Sequence, residues 1–243
     1  MTMDIFKTDS ITLYNGDCNE VIKTIADGSV GLCVTDPPYK IMPRGNAGNM
    51  GGFMTQKRAL DGKIFNHNDI DIDDYIGELY RVLKDGTHCY IMTNNYNICH
   101  FLDVVSKSEF HFVKNLIWDK QNKICGRYYM GQYEYIMFMR KGKDRIINNC
   151  SCSDIISIPL KKNKNTDGTN LHDSEKPVQL MQLLIENSSE KGDLVFDPFT
   201  GSGTTAIACL RSNRRFVGCE IDKTYFDIAV RRIKDELSQP QLF

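Results

Sequence analysis

The sequence has almost no net charge, no long hydrophobic run and no repeated cysteine pair, and each absence removes a class of function. Thirty basic residues stand against 31 acidic ones over 243 positions, so a polyanionic partner must be met by a local patch and not by the overall field. No apolar stretch approaches the roughly 20 residues that a membrane helix needs, and no signal peptide opens the chain. The nine cysteines (Cys18, Cys33, Cys89, Cys99, Cys125, Cys150, Cys152, Cys209 and Cys219) are odd in number and scattered. Only Cys150 and Cys152 are close, and one Cys-x-Cys with no second pair or nearby histidine makes a poor zinc site. Free thiols in a reducing cytoplasm, no membrane and no metal are the expectation. What is present is ordinary for a globular chain, 41% hydrophobic and 25% charged, and the length suits one α/β domain over residues 1–243.

Period and punctuation along the chain give short apolar strands alternating with amphipathic helices. Strands are expected at Ile11 to Tyr14, Gly31 to Thr35, His88 to Met92, His111 to Trp118, Tyr133 to Arg140, Leu194 to Phe196 and Phe216 to Ile221. Helices are expected at Cys18 to Ile25, Ile72 to Leu83, Tyr96 to Lys107, Val178 to Asn187, Thr204 to Arg211 and Tyr225 to Leu237, with Pro177 at a favoured first helical position. This alternation implies an α/β fold with a doubly wound, mostly parallel sheet. Two stretches break it. Lys40 to Asn68 is rich in Gly, Asn, Lys and Arg and reads as a long flexible loop, a length that in a compact domain is usually functional. Lys141 to Asp173 is polar and carries Arg140, Lys141, Lys143, Arg145, Lys161, Lys162 and Lys164 at or near its ends, which supplies the local basic patch.

Two motifs carry chemistry. Asp36-Pro37-Pro38-Tyr39 follows the apolar run Val30 to Thr35, so a carboxylate, two rigid residues without N–H donors and an aromatic face stand at the end of a buried strand. Asp and Pro are also ordinary turn residues, and the four residues alone read equally well as a strand-ending turn. The second motif runs Val195-Phe196-Asp197-Pro198-Phe199-Thr200-Gly201-Ser202-Gly203-Thr204-Thr205, a strand entering a glycine turn and then a helix start where a ligand can approach backbone N–H groups. Gly-x-Gly by itself is weak. Glu220, about 20 residues beyond the turn at the end of the next strand, sits where nucleotide-binding folds place an acid for ribose hydroxyls; its plainer reading is a surface acid.

Together these residues resemble the amino DNA methyltransferases, which methylate exocyclic amines of adenine or cytosine with S-adenosylmethionine. Asp36-Pro37-Pro38-Tyr39 is similar to the catalytic motif and Asp197 to Thr205 to the cofactor loop. His172-Asp173-Ser174-Glu175-Lys176-Pro177 is similar to the family's His-Pro-x-x-Lys-Pro segment, departing at Asp173 where proline is usual, and Gly16-Asp17 to its acidic turn. The catalytic motif precedes the cofactor loop, the order of the β class. The resemblance implies a circularly permuted, seven-stranded Rossmann-like methyltransferase fold.

The resemblance further implies the division of roles. A base must be flipped out of the duplex; Asp36 and the Pro37 carbonyl would accept the amine hydrogens, Pro38 would hold the turn, and Tyr39 would stack on the ring. Around the cofactor would lie Asp197, Phe199, Gly201, Ser202, Gly203, Thr204 and Thr205, with His172, Lys176 and Pro177 near its carboxylate, Glu220 on the ribose and Asp17 on the adenine amine. Phe196 reads as core. Candidates for phosphate contacts on double-stranded DNA are Arg44, Lys57, Arg58 and Lys63 in the first loop and Lys161, Lys162 and Lys164 in the second. Relatives of the class often dimerise, so a homodimer is an expectation. The tail Gln239-Pro240-Gln241-Leu242-Phe243 resembles peptides that dock into bacterial sliding clamps, with a frayed helix end as the plainer reading. N6-adenine is the expected target; N4-cytosine methylation and a DNA-binding module that has lost catalysis are the alternatives.

Overall fold

A computed structural model describes residues 3–38, 70–124, 129–160 and 175–239. The elements are β1 (Asp4–Lys7), β2 (Ile11–Asn15), α1 (Cys18–Lys23), β3 (Val30–Thr35), a 3-10 turn (Ile72–Asp74), α2 (Ile76–Val82), β4 (Leu83–Thr93), α3 (Ile98–Lys107), β5 (His111–Ile124), β6 (Gly131–Arg140), β7 (Ile155–Ser157), α4 (Val178–Ser188), β8 (Leu194–Asp197), α5 (Thr204–Arg211), β9 (Arg215–Glu220) and α6 (Lys223–Ser238). Among the described residues no helix is long and apolar enough to cross a membrane.

All nine strands join one sheet in the order β1-β2-β9-β8-β3-β4-β6-β5-β7. The strands β2, β9, β8, β3 and β4 are mutually parallel, whereas β6 runs antiparallel to both of its neighbours. Side chains alternate across the sheet because the strand period is two. Leu32, Val34, Tyr90, Met92, Val195 and Phe216 face α4, α5 and α6, which contribute Leu180, Leu184, Ala206, Cys209, Phe226 and Ile233 to that layer. Cys33, Cys89, Ile91, Phe196 and Val217 face the opposite way, against Ile22, Ile76, Leu79, Phe101 and Val104. Helices therefore cover both faces, and the central strands read as continuous apolar runs because both of their faces are buried. Phe196 lies in this core, as its position in β8 leads one to expect.

Several boundaries differ from the sequence reading, each for a local reason. Among the described residues the sheet has nine strands where seven were expected, because short strands lengthen both edges. Strand β1 pairs antiparallel with β2 through a turn closed by Thr8, whose hydroxyl accepts the Ile11 N–H at 3.0 Å. Strand β7 lies inside the segment read as a polar loop and pairs with β5. With one buried residue, Ile156, between two exposed ones, it is too short to show alternation. The helix expected over 72–83 is interrupted at Tyr75, where the Asp74 carboxylate accepts the Asp71 N–H at 2.8 Å and closes a separate 3-10 turn. Helix α3 begins at Ile98 and not Tyr96, since the Asn94 side chain takes the N–H groups of Tyr96 and Asn97 into a turn. Strand β4 begins before the expected Asp85-Gly86 turn, absorbing it as an irregularity in its register with β3, with Gly86 at φ +73°. Pro177 is extended and caps α4 instead of occupying its first turn; its carbonyl accepts the Leu180 N–H at 3.0 Å.

Candidate active site

Because β3 proceeds outward to β4 while β8 proceeds outward to β9 on the other side, the chain reverses its direction of travel across the sheet between β3 and β8. Open α/β sheets bind ligands in the crevice beyond the strand ends at such a reversal. Read across the sheet, the residues at this edge are Asp17 after β2, Glu220 ending β9, the 197–203 turn after β8, Asp36 after β3, Glu134 on β6 and Lys120 on β5. The first three form one wall, and the last three, together with Lys176 from the segment before α4, form the other.

On the first wall, Asp197 is fully engaged by its own fold. The Thr35 hydroxyl donates to Oδ1 at 2.7 Å, the Thr205 hydroxyl to Oδ2 at 2.6 Å, and the Phe199 N–H to Oδ1 at 3.1 Å. Burial pushes its carboxyl up to about 6 against the pull of these donors. Asp197 thus ties the end of β3 to the glycine turn and to the start of α5. Glu220 ties the other flank: Oε2 accepts the Gly201 N–H and Oε1 the Asp222 N–H, both at 2.8 Å. Burial pushes it up to about 7, opposed by these two N–H groups. A carboxylate has about four acceptor sites, so Glu220 keeps acceptor capacity suited to the vicinal hydroxyls of a nucleoside.

Glycine is required twice here. Gly203 caps α5 at φ +89°, left-handed backbone that side chains resist. At Gly218 an added Cβ would lie 2.4 Å from the Thr200 hydroxyl and 2.8 Å from the Asp197 carbonyl oxygen, so β9 passes directly under the turn. The turn is also gripped from outside. Arg232 of α6 donates to both the carbonyl and the hydroxyl oxygen of Ser202 at 2.7 Å and pairs with the buried Glu175 at 2.7 Å. Phe199 packs edge-on against Tyr75, with ring centroids 5.1 Å apart, and is half-buried at the crevice. Asp17 is exposed and caps α1 by accepting the Asn19 N–H at 2.8 Å.

The second wall is a chain of four alternating charges. Lys176 hydrogen-bonds Asp36 Oδ2 and lies 3.5 Å from Glu134 Oε2, while Glu134 Oε1 lies 2.5 Å from Lys120 Nζ. Lys176 and Lys120 are both buried. Burial raises the Asp36 carboxyl above its ordinary range and Lys176 opposes it. Glu134 is held low by Lys176 and Lys120 in spite of its burial. Lys176 stays above the ordinary lysine value because the two carboxylates outweigh desolvation. Asp36 Oδ1 is buried and has no hydrogen-bond partner among the described residues. A buried carboxylate oxygen left without a donor is costly, and a ligand N–H is what would satisfy it. Pro37 beside it is buried and Pro38 half-buried.

Most of the sequence-predicted site thus converges on one crevice: Asp36, Pro37, Pro38, Lys176, Pro177, Asp197, Phe199, Gly201, Ser202, Gly203, Thr204, Thr205 and Glu220, with Asp17 at its end. Within it, Ser202 of the turn and Thr204 and Thr205 in the first turn of α5 are buried. Lys176, expected beside the cofactor carboxylate, hydrogen-bonds Asp36. Tyr39, Arg44, Lys57, Arg58, Lys63, Lys161, Lys162, Lys164, His172 and the tail beyond Gln239 lie outside the described residues. Glu134, Lys120, Glu175, Arg232 and Thr35 were not foreseen. For Glu134 the signal was present: it shares strand parity with Ile136 and Phe138, which face the core, and an inward charge on a buried strand demands a partner.

The family model described as DNA methylase, of the N6/N4 methyltransferases, matches residues 30–231. Among curated proteins the chain is 28% identical to the DNA adenine methyltransferase YhdJ of Escherichia coli (strain K12), over 94% of this chain and 84% of that protein. Among solved structures it is similar in fold to the M1.HpyAVI–SAM complex, with TM-score 0.67 and 23% identity over 91% of this chain and 99% of that one. It is also similar in fold to the cytosine-N4-specific PvuII DNA methyltransferase, with TM-score 0.72 and 16% identity over 95% and 92% of the two chains. With a crevice at the sheet reversal, a carboxylate at one wall and a glycine turn at the other, and with a match across most of its length, the chain belongs to the N6/N4 DNA methylase family.

Proposed function

We propose that this protein transfers the methyl group of S-adenosylmethionine to the N6 amine of an adenine flipped out of double-stranded DNA. The observation that carries this reading is Asp36 Oδ1, a buried acceptor without a donor among the described residues, at the edge of a crevice whose other wall has the chemistry of a nucleoside site. The residues fit the cofactor: Glu220 has acceptor capacity for ribose hydroxyls, Asp17 stands one strand further along, and Phe199 supplies an apolar side. When bound, the cofactor supplies an electrophilic methyl group on a sulfonium. Everything else is done by the chain. An exocyclic amine is a weak nucleophile because its lone pair is delocalised into the ring. Asp36 Oδ1 accepts one N–H and the Pro37 carbonyl the other, which favours the pyramidal nitrogen and stabilises the positive charge that develops on it. The proton then leaves through Asp36 or water.

Adenine is favoured over cytosine because the first motif position is Asp and not the Ser more usual in the cytosine enzymes that the sequence resembles, and because a relative matched along nearly the whole chain is named as an adenine methyltransferase. The test is mass spectrometry of nucleosides from DNA of a host expressing the protein. N6-methyladenine is expected, lost in Asp36→Ala; N4-methylcytosine would move the assignment to the other base, and DNA binding without either product would leave a binding module.

A further inference from the structure

One buried ammonium group serves two half-buried carboxylates. Lys176 hydrogen-bonds Asp36 Oδ2, and Glu134 Oε2 stands 3.5 Å away on its other side with no hydrogen-bond partner among the described residues. Lys120, its ammonium 5.3 Å above the centre of the Trp118 ring, closes the far end on Glu134 Oε1. A single buried pair would be enough to neutralise Asp36. Buried pairs rarely exceed apolar packing in stabilising a fold, so stability gives no reason for two further charges, drawn from β5 and β6, at this edge.

We propose that Glu134 is a positioning residue for methyl transfer: backed by Lys120, it shares the positive charge of Lys176 with Asp36, so that Asp36 keeps one oxygen anchored by Lys176 and the other basic enough to take the amine hydrogen. The proposal rests on the reading of Asp36 as the amine acceptor. Among the described residues, the charged groups facing Asp36 are Lys176 from the segment before α4, Glu134 from β6, Lys120 from β5 and, across Thr35, Asp197 from β8. Their signs fix the direction of every perturbation. Glu134 makes Asp36 harder to ionise and Lys120 makes it easier, on top of the larger effects of burial and Lys176. Removing the Glu134 charge leaves Lys176 wholly to Asp36 and weakens it as an acceptor. Removing Lys120 gives Glu134 a stronger hold on Lys176 and leaves Asp36 less neutralised.

The experiment is the pH profile of single-turnover transfer of labelled methyl groups from S-adenosylmethionine to phage DNA grown in a methylation-free host. In Glu134→Gln the acid limb is expected to move to lower pH, and in Lys120→Met to higher pH, each by about one unit. The double variant, with charge balance restored, should fall between them. Cofactor affinity by calorimetry should stay within about twofold of the parent in all three. Coincident limbs, or limbs that move the same way in both single variants, overturn the proposal. So does an unmoved limb with cofactor binding weakened about tenfold, which would assign the chain of charges to the cofactor carboxylate. Each single variant has a signed expectation of its own, so either one that folds decides the matter. Activity retained in Asp36→Ala would overturn the reading of Asp36 itself; activity lost there with unmoved limbs overturns the role of Glu134 alone.

Discussion

Two carboxylates on opposite walls of the crevice are both raised by burial, yet their surroundings prepare them for different work. Asp36 has one oxygen held by Lys176 and the other without a partner among the described residues. Asp36→Asn would present an amide to an amine that offers only N–H donors, and single-turnover methylation is expected to fall by on the order of 10²- to 10³-fold. Cofactor affinity measured on the same preparation should change by less than about twofold, since Asp36 lies on the wall away from Glu220. Glu220, by contrast, is satisfied on each oxygen by one N–H group and is still pushed up to about 7. Ligand hydroxyls donate only to its lone pairs and favour the ionised form, so binding is strongest above about pH 7 and weakens as the pH falls through that value. Calorimetric titration of S-adenosylmethionine should show affinity dropping toward tenfold per pH unit below it. Glu220→Gln should bind weakly at every pH and lose most of this dependence.

The elements that bear these residues are joined by contacts that act across long stretches of chain. Arg232 holds the glycine turn to α6 through Ser202 and holds the segment before α4 through Glu175, a carboxylate whose side chain is only 1% exposed. Arg232→Met removes an ion pair from that buried carboxylate, and a destabilisation of up to about 3–5 kcal/mol is expected by urea denaturation. Adding Glu175→Gln should recover part of it, because the second change removes the charge that Arg232 balanced. Gly218→Ala would place a methyl group against the Thr200 hydroxyl and the Asp197 carbonyl oxygen, costing about 1–3 kcal/mol through forced backbone shifts. Elements of this kind differ in how legible they were. The central strands and the helices after them were readable because continuous apolar runs and helical spacing are strong periodic signals. The edge strands β1 and β7 were not, since they bury almost nothing. The roles of Glu134 and Arg232 depend on residues far away in sequence, which no local pattern reports, although an inward-facing charge on β6 was a readable demand for a partner.

Across the whole molecule, the Glu220 wall and the Asp36 wall meet at the reversal point of the sheet, a placement that depends on the strand order and was not read from the order of the two motifs. Charge is the property that the whole molecule does not supply to its function. With 30 basic and 31 acidic residues, long-range attraction to DNA is negligible at physiological ionic strength, where charges more than about 8 Å apart are largely screened. Binding must therefore come from a few close phosphate contacts, and the number of such contacts is measurable. Each neutralised phosphate releases condensed counterions, so log K falls with log salt at a slope of about −0.9 per contact on duplex DNA. If Lys161, Lys162 and Lys164 meet the backbone, replacing all three with alanine should make that slope shallower by roughly 2 to 3 and weaken binding equally on every sequence, because phosphate contacts position the protein without reading bases. Cofactor affinity should be untouched. A parallel variant carrying alanine at Arg44, Lys57 and Arg58 separates the two segments: a residue that reads base edges lowers discrimination between sequences, whereas one that meets phosphate lowers only the slope. Fluorescence anisotropy across about 50 to 300 mM salt, on duplexes that the parent does and does not methylate, measures both. An unchanged slope in both variants would place the DNA-binding surface elsewhere on the crevice rim.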